Sequence, residues 1–410
     1  DPKCAEPIFS ATHREVGFWN KHQHKEGEIM DFEFSEREEM LRKAVREFAE
    51  NEIPPKMEAM EETGDFPAEL LKPMAEVGIT GIITPAEYGG VGLGYVARTI
   101  VLEELGRVCG AMPMALQVHH MGCAVINDFG TDAQKEKYLA PLAKGETMGC
   151  VAVTDPTGGS DVIGMKSSAE LRGDKYILNG RKCFITNSHT ADYWVVIAKT
   201  AEGAKGLSAF IVDKDAPGAK LGRKENKFGL RGANTGELAF DNCEVPKENL
   251  LGQEGGGLAV AIKTISETGR TGMAATALGI LTAVYEEAGK FASERVLYGK
   301  PISTLQAIQF YMAEIYSQLE VCRLLCYRAS WLKDQGKRCD NEGALAKYYT
   351  CEAAVNAAKK AIEIHGSYGI MKEYAVQRLL RDAMVTVPAG GTAEIAKVVL
   401  ARAALAPFKK

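Results

Sequence analysis

The 410-residue sequence lacks a strong excess of charge of either sign, and this limits its partners. It has 49 Lys and Arg against 54 Asp and Glu, a net charge of −5 at pH 7, and no basic stripe. Nucleic-acid binding depends on clustered Lys and Arg that neutralise phosphates. The sequence therefore argues against nucleic acid as a partner, although a few local Arg residues suffice for a small phosphate-bearing ligand.

Long apolar runs and paired cysteine motifs are also missing. The longest apolar run, around 273–284, is shorter than the roughly 20 residues that cross a bilayer. It is predicted to be a buried helix, and no membrane span is expected. The ten cysteines have neither CxxC nor zinc-ligand spacing. We therefore expect no metal site and a reducing compartment, the cytoplasm or the matrix of an organelle.

The first 29 residues differ from the rest of the chain. They are rich in His and Lys, show no periodicity, and lack the apolar core of a signal peptide. We interpret residues 1–29 as an extension or a fusion remnant.

The remaining chain changes its periodicity twice. Apolar residues recur at helical spacing over 30–149, and short β-branched or aromatic runs follow over 150–255. Asn179-Gly180 has the composition of a two-residue hairpin turn. Helical periodicity returns over 256–410. The sequence predicts a mainly α fold with a β domain: an N-terminal helical domain, a small barrel or sheet, and a C-terminal four-helix bundle, with a cofactor cleft where they meet.

Several separated segments carry a resemblance to a known family. They are 153–161 (VTDPTGGSD), 179–187 (NGRKCFITN), 245–252 (VPKENLLG), 294–306 and 365–392, which ends in Ala-Gly-Gly-Thr. In this order they resemble the acyl-CoA dehydrogenase family over about 30–405. The resemblance implies the family's fold, bound FAD, a CoA thioester substrate, and electron-transferring flavoprotein as the electron acceptor.

The resemblance also assigns the cofactor contacts. A Gly-rich turn with hydroxyl groups lets backbone N–H groups approach a planar ring and a pyrophosphate closely. Thr154 is expected to bond the flavin ring, Phe184 to lie along it, and Thr186 to lie near N5, the hydride acceptor. The implied cofactor-binding residues are Val153, Thr154, Gly159, Ser160, Phe184, Thr186, Arg295, Gln306, Glu363, Gly366, Thr392 and Glu394.

Part of this set implies an oligomer. The segments Arg295–Gln306 and Glu363–Gly369 resemble regions that hold the ADP half of FAD across a subunit interface, with Glu363 in place of the usual Gln. We therefore expect a homotetramer, as a dimer of dimers. The implied substrate-binding residues are Ser160, Glu267, Arg270 and Gly391.

The resemblance fails at the catalytic base. In the family, a Glu removes the α-proton of the thioester while flavin N5 takes the β-hydride. That Glu lies in the C-terminal triplet or on the helix just before the family Arg. Both positions are glycine here, Gly390 and Gly269. Glu267 leaves a helix about 200° away from residue 269, so it is not an obvious substitute.

His119 and His120 are the candidate replacement bases. They lie in 114–122, which lines the acyl pocket in the family, and an imidazole can take a proton near neutral pH. The two side chains leave a helix about 100° apart, so we expect at most one to face the pocket. The alternative is that each is a hydrogen-bonded structural histidine.

Three functions stay open. The first is dehydrogenation of an atypical CoA thioester, for example a 1,4-elimination on an alicyclic acyl group, as in the family members that act on cyclohexene-carboxyl-CoA. The second is a non-oxidative acyl-CoA lyase of the desulfinase type, but residues 112–115 lack the Arg of those members. The third is a catalytically silent flavin- or CoA-binding subunit, against which the flavin segments argue. We expect the first.

Overall fold

A computed structural model describes residues 33–408, so the predicted extension 1–29 lies outside the described residues. The helices are α1 (Glu36–Glu52), α2 (Met57–Thr63), α3 (Leu71–Glu76), α4 (Gly94–Val108), α5 (Ala111–Phe129), α6 (Asp132–Gln134), α7 (Ala140–Ala143), α8 (Gly257–Lys263), α9 (Arg270–Glu294), α10 (Gln306–Asp334), α11 (Asp340–His365), α12 (Ala375–Thr386) and α13 (Ala393–Leu405). The strands are β1 (Val151–Ala152), β2 (Ser168–Arg172), β3 (Lys175–Thr186), β4 (Tyr193–Lys199), β5 (Leu207–Asp213), β6 (Ala219–Lys224), β7 (Thr235–Pro246), β8 (Leu250–Leu251), β9 (Val296–Leu297) and β10 (Lys300–Pro301).

The N-terminal part is a helical layer packed on the C-terminal helices. A capping box starts α1: the Ser35 hydroxyl accepts from the Glu38 N–H, and the Glu38 carboxylate accepts from the Ser35 N–H at 2.8 Å. Its buried face, which includes Val45 and Phe48, points into the main core. Helices α4 and α5 are buried over most of their length, so they form the inside of this layer.

The middle part is one sheet with strand order β6-β7-β3-β2-β4-β5-β8, and β1 pairs in parallel with β4. The hairpin prediction at Asn179-Gly180 is wrong, because β3 runs through both residues and Arg172 pairs with Lys175 across the β2–β3 turn. Gly180 instead lies at a register shift of the β3–β7 ladder with a φ of 142°. A Cβ at residue 180 would lie 2.5 Å from the Ser167 hydroxyl oxygen, so only glycine fits at this position.

The C-terminal part is built around α9. Residues 271–284 of this helix are all buried, as predicted for the apolar run. Gly279 packs on α4 so closely that a Cβ would lie 2.7 Å from the Cα of Gly106. The predicted fold class, helices, then a sheet, then a helical bundle, is confirmed. Across residues 33–408, no helix combines the length and apolar character needed to cross a bilayer.

A buried ion pair stabilises the sheet domain and gives a first prediction. Lys182 on β3 pairs with Asp155, and both side chains are at most 1 % exposed. The substitution Lys182→Met leaves the buried carboxylate without a cation, which costs about 3–5 kcal/mol of unfolding free energy. We expect a clear drop in the urea unfolding midpoint.

Lys175→Met is the matched control, because Lys175 lies on the same strand and pairs with Glu244 at 2.6 Å, but both side chains are more than 40 % exposed. Exposed ion pairs contribute little, so the midpoint should hardly move. Equal effects of the two substitutions would contradict the prediction.

Candidate active site

The two glycines that replace the expected base lie side by side. Gly390 is in the loop between α12 and α13, with a φ of 66°, and faces the start of α9. A Cβ at residue 390 would lie 3.6 Å from the Met273 Cβ and 3.8 Å from the Gly269 carbonyl oxygen. The two glycines therefore border the same region, and neither of them places a carboxylate there.

Gly269 is the last residue of a π-helical turn, Thr264–Gly269. Such turns interrupt the regular helix and occur often at functional sites. A Cβ at Gly269 would lie 3.3 Å from the terminal methyl of Met121 on α5. Met121 thus closes the space on one side, whereas a Cβ at Gly391 would have no atom within 4 Å.

A buried lysine holds the glycine loop in place. Lys347 on α11 is 1 % exposed, and its ammonium group donates to the carbonyl oxygens of Val387 and of Gly391, the latter at 2.7 Å. Burial lowers the Lys347 pKa. Nothing in the sequence singled this residue out, because it lies in an ordinary Ala-rich helix.

Glu267 is engaged on the side of α10. Its carboxylate accepts a hydrogen bond from the ammonium group of Lys333, which also lies 5.4 Å from the ring centroid of Tyr95. This arrangement argues against Glu267 as a free base. Arg270, three residues on, is partly buried, and its burial lowers its pKa while Asp340 opposes the shift.

His119 has both ring nitrogens occupied by backbone groups. The Gly149 N–H donates to Nδ1 at 3.0 Å, so Nε2 carries the proton and donates to the Thr80 carbonyl oxygen at 3.1 Å. Burial lowers the His119 pKa to about 4. An imidazole this weakly basic and this fully bonded fits the structural alternative.

His120 also has a hydrogen-bond partner at each ring nitrogen, one from the backbone and one from a side chain. Its Nε2 lies 2.9 Å from the Ile79 carbonyl oxygen, and its Nδ1 accepts from Nε of Arg98 at 3.3 Å. Burial, then the nearby Arg98 and His119, lower the His120 pKa well below its usual value. The geometry therefore argues against both candidate histidines as the proton acceptor.

The end of β3 presents an exposed aromatic ring. Phe184 is 68 % exposed and has a φ of 58°, a strained conformation for an aromatic residue. Two residues on, Thr186 is buried, and the amide of Asn187 donates to the Ala115 carbonyl oxygen on α5 at 2.9 Å. The sheet is thus fastened to the helix that carries Met121.

The predicted flavin turn lies next to the end of β3. The Cys183 N–H donates to the Thr154 carbonyl oxygen at 2.9 Å, which places this turn beside Phe184. A Cβ at Gly159 would lie 3.1 Å from the Thr154 hydroxyl oxygen, so glycine keeps that hydroxyl accessible. Ser160 is exposed, and the Val153 carbonyl oxygen accepts from Lys182.

The predicted ADP-binding residues form a separate exposed group on the C-terminal helices. The Arg295 guanidinium lies 5.4 Å from the Tyr368 ring centroid, beside Gly366, whose φ is 59°. Gln306 is exposed at the first position of α10, and the exposed Glu363 is hydrogen-bonded to Tyr311. The group is open to a ligand rather than used for packing.

The last two predicted cofactor residues lie at the start of α13. The Thr392 hydroxyl accepts from the Ile395 N–H at 3.3 Å and caps this helix. Glu394 is exposed in its first turn. The glycine loop therefore leads directly into a capped helix N-terminus.

Comparisons with known proteins agree with this geometry. Three family models match in order: "Acyl-CoA dehydrogenase, N-terminal domain" over 35–146, "middle domain" over 150–243 and "C-terminal domain" over 255–405. An "Acyl-CoA dehydrogenase" of Bacillus subtilis is 44% identical over 88% of this chain and 96% of its own length. The chain belongs to the acyl-CoA dehydrogenase family.

Two further family members resemble the chain throughout. The "Caffeyl-CoA reductase-Etf complex subunit CarC" of Acetobacterium woodii is 39% identical over 90% of this chain and 98% of its own length. A chain in a structure described as "Electron transferring flavoprotein of Acidaminococcus fermentans: Towards a mechanism of flavin-based electron bifurcation" has a TM-score of 0.90 and 40% identity, over 92% of this chain and 100% of that chain. The acyl-CoA dehydrogenase fold is therefore present in full.

As a family member, the chain is an FAD-dependent oxidoreductase that acts on the CH–CH bond of an acyl-CoA. Its own residues fit the cofactor, since Phe184 offers an exposed ring, glycine at residue 159 keeps the Thr154 hydroxyl accessible, and the buried Oδ1 of Asn187 has no hydrogen-bond partner within residues 33–408. Bound FAD supplies the hydride acceptor. The individual cofactor contacts stay predictions.

The buried, hydrogen-bonded His119 gives a prediction about how the stability of the protein depends on pH. The His119 pKa is about 4 in the folded chain and 6.5 in the unfolded one, so the unfolded state takes up the proton first as the pH falls. Stability should be full above pH 6.5 and fall between 6.5 and 4, by about 3 kcal/mol for this residue. Urea unfolding at several pH values measures it.

The substitution His119→Asn removes this titration and should flatten the pH dependence, while His120 keeps its own contribution. Circular dichroism and FAD content provide the control for folding. Parallel pH profiles of the wild type and the variant would show that His119 is not buried in its neutral form.

Proposed function

We propose that this chain exchanges a hydride between flavin N5 and an atypical CoA thioester, without a carboxylate base at residue 269 or 390. The pairing of Gly390 with Gly269 across one space supports this proposal. The atoms nearest to the two positions belong to Met121, Met273 and backbone carbonyl groups. The loss of a general base typically costs about 10²–10⁴-fold in rate, so ordinary α,β-dehydrogenation is disfavoured.

The space itself supports a bulky, for example alicyclic, acyl group. Two glycines replace side chains that would otherwise project between the loop and α9, and the Cβ position of Gly391 is open. A 1,4-elimination passes its hydride to flavin N5 and its proton, from a carbon other than the α-carbon, to an acid residue elsewhere in the pocket, so it does not need a base at either glycine. The thioester end is expected to lie near Ser160, Glu267, Arg270 and Gly391.

A desulfinase-type lyase is less well supported. Such members hold an anion with an Arg in the segment that corresponds to residues 112–115, and here Met112, Pro113 and Met114 are buried and apolar. A catalytically silent subunit is the remaining alternative, and it predicts FAD or CoA binding without any flavin reduction.

We also propose that electrons pass to or from an electron-transferring flavoprotein and that the chain forms a homotetramer. The names of the two relatives above support such a partner. Exposed apolar side chains on α10, among them Phe310, Tyr316 and Leu324, support a subunit contact there. Light scattering on the purified protein tests the tetramer. We expect the cytoplasm, or the matrix of an organelle, as its compartment.

The central prediction concerns flavin reduction. Anaerobic titration of the FAD-loaded protein with CoA thioesters should bleach the absorbance near 450 nm for at least one cyclic or otherwise atypical acyl group. Straight-chain saturated acyl groups should bleach it slowly or not at all. Fast bleaching by butyryl-CoA would contradict the proposal, and no bleaching by any thioester would favour the silent subunit.

Restoring the base should change the specificity. Gly390→Glu is expected to raise the rate of straight-chain dehydrogenation by roughly 10²–10⁴-fold, because the carboxylate reaches the space shared with Gly269. The φ of 66° at residue 390 adds strain of about 1–2 kcal/mol, which the fold should tolerate.

Gly390→Gln is the matched control, since it has the same backbone strain and size but no base. Gly269→Glu offers the other position at a helical φ, although Met121 must shift to accommodate it. A failure of both Glu variants, with FAD bound and the fold intact, would count against the proposal.

A further inference from the structure

Arg98 is a fully buried cation without an acidic partner. It lies in the middle of α4, is 1 % exposed, and contacts neutral groups. Its Nε donates to Nδ1 of His120 at 3.3 Å, one Nη donates to the Thr271 hydroxyl at 3.2 Å, and the other to the Gln117 carbonyl oxygen at 3.5 Å. Within the described residues, no Asp or Glu oxygen lies within 4 Å of it.

Such a group is rare because charged side chains are hardly ever fully buried unless paired. The same helix shows the usual arrangement: the buried Glu103 pairs with Arg323, and the buried Glu104 with Arg46. Burial lowers the Arg98 pKa to about 10, so the guanidinium still carries its charge at pH 7. The protein therefore buries a positive charge that it does not neutralise.

The guanidinium contacts the helix that carries Gly269, about one turn further along. A Cβ at Gly272 would lie 2.2 Å from an Arg98 Nη, so glycine at this position makes room for the charge. Residues 269, 272 and 273 lie on one face of a helix, one turn apart. Gly390 contacts this face at Met273, and Arg98 contacts it at Gly272.

A second unpaired polar group lies at the same place. In the described part of the chain, Oε1 of Gln117 on α5 is buried without a hydrogen-bond partner, and Nε2 of this residue reaches only the sulfur of Met114 at 4.0 Å. Met121 packs against Gly269, and the Met114 sulfur lies 4.0 Å from Nε2 of Gln117. Methionine side chains are flexible and adapt to a ligand. Both side chains are buried, and a ligand that displaces them would reach Arg98.

We propose that the acyl group of the substrate ends in a carboxylate that pairs with Arg98. The substrate class is then the mono-CoA thioesters of dicarboxylic acids, and Arg98 is a specificity-determining residue. A flip of the Gln117 amide turns its Nε2 towards the same carboxylate. This proposal rests on the proposed function, because it assumes that the chain binds a CoA thioester.

The test is a binding experiment on the FAD-loaded protein with thioesters matched in length. Calorimetric titration compares butyryl-CoA with succinyl-CoA, pentanoyl-CoA with glutaryl-CoA, hexanoyl-CoA with adipyl-CoA, and heptanoyl-CoA with pimelyl-CoA. At the length that reaches Arg98, the carboxylated member should bind at least about 10-fold more tightly than its neutral partner. Equal affinities at every length overturn the proposal.

Arg98 is then replaced to locate the effect. Arg98→Met should weaken binding of the preferred dicarboxylic thioester by about 100-fold and leave its neutral partner nearly unchanged, whereas Arg98→Lys keeps part of the preference. Arg323→Met is the control, because Arg323 already pairs with Glu103 and should affect stability but not the preference.

The outcomes separate the two proposals. If no thioester binds, the proposed function fails; if thioesters bind with no preference for a carboxylate, only the role of Arg98 fails. Should Arg98→Met not retain FAD, the preference of the wild type and its loss in Gln117→Leu decide instead. A preference that survives the loss of the Arg98 charge assigns the carboxylate to another residue.

Discussion

The structure depends on how closely neighbouring segments approach one side of α9. At Gly279 a Cβ would lie 2.6 Å from the Glu103 carbonyl oxygen and 2.7 Å from the Gly106 Cα, so any side chain would push α4 away. At Gly272 the missing Cβ makes room for Arg98, and at Gly269 the Met121 side chain packs against the backbone. Because protein interiors are close-packed, these contacts fix α4 and α5 relative to α9. They also decide what lies around the substrate.

The other parts of the site are fastened to this helix pair by a few buried hydrogen bonds. Asn187 ties the end of β3 to α5, so Phe184 is held at a fixed place although it is exposed and strained. Lys347 ties the glycine loop to α11 by two carbonyl oxygens. Unsatisfied buried polar groups are costly, so both connections resist opening. Sheet, loop and helices are therefore held together at the site by hydrogen bonds to backbone carbonyl groups.

The sequence was sufficient for the order of helices, sheet and helices, because periodicity and motif spacing are local properties. The sequence was insufficient where the contact partner of a residue is distant along the chain. The bonds that lock His119 and His120 come from the backbone at Thr80 and Ile79, about 40 residues earlier, and no motif indicates them. The hairpin prediction at Asn179-Gly180 failed because β7 pairs along the whole of β3 and turns the glycine into a bulge. Arg98 was missed because Glu103, Glu104 and Arg107 make α4 look like an ordinary charged helix, although Arg98 is the one charged residue in its apolar stretch 96–102.

The absent carboxylate and the unpaired cation are consistent with one another. A Glu at residue 269 would lie one helical turn from the contact between Gly272 and Arg98, near enough for attraction to lower its pKa and weaken it as a base. The same Glu would neutralise the guanidinium and repel a ligand carboxylate. Glycine at both base positions keeps the positive charge of Arg98 available to a ligand. The loss of the usual base then fits a change of substrate better than a loss of activity, because an inactive chain has no reason to keep a buried charge unpaired.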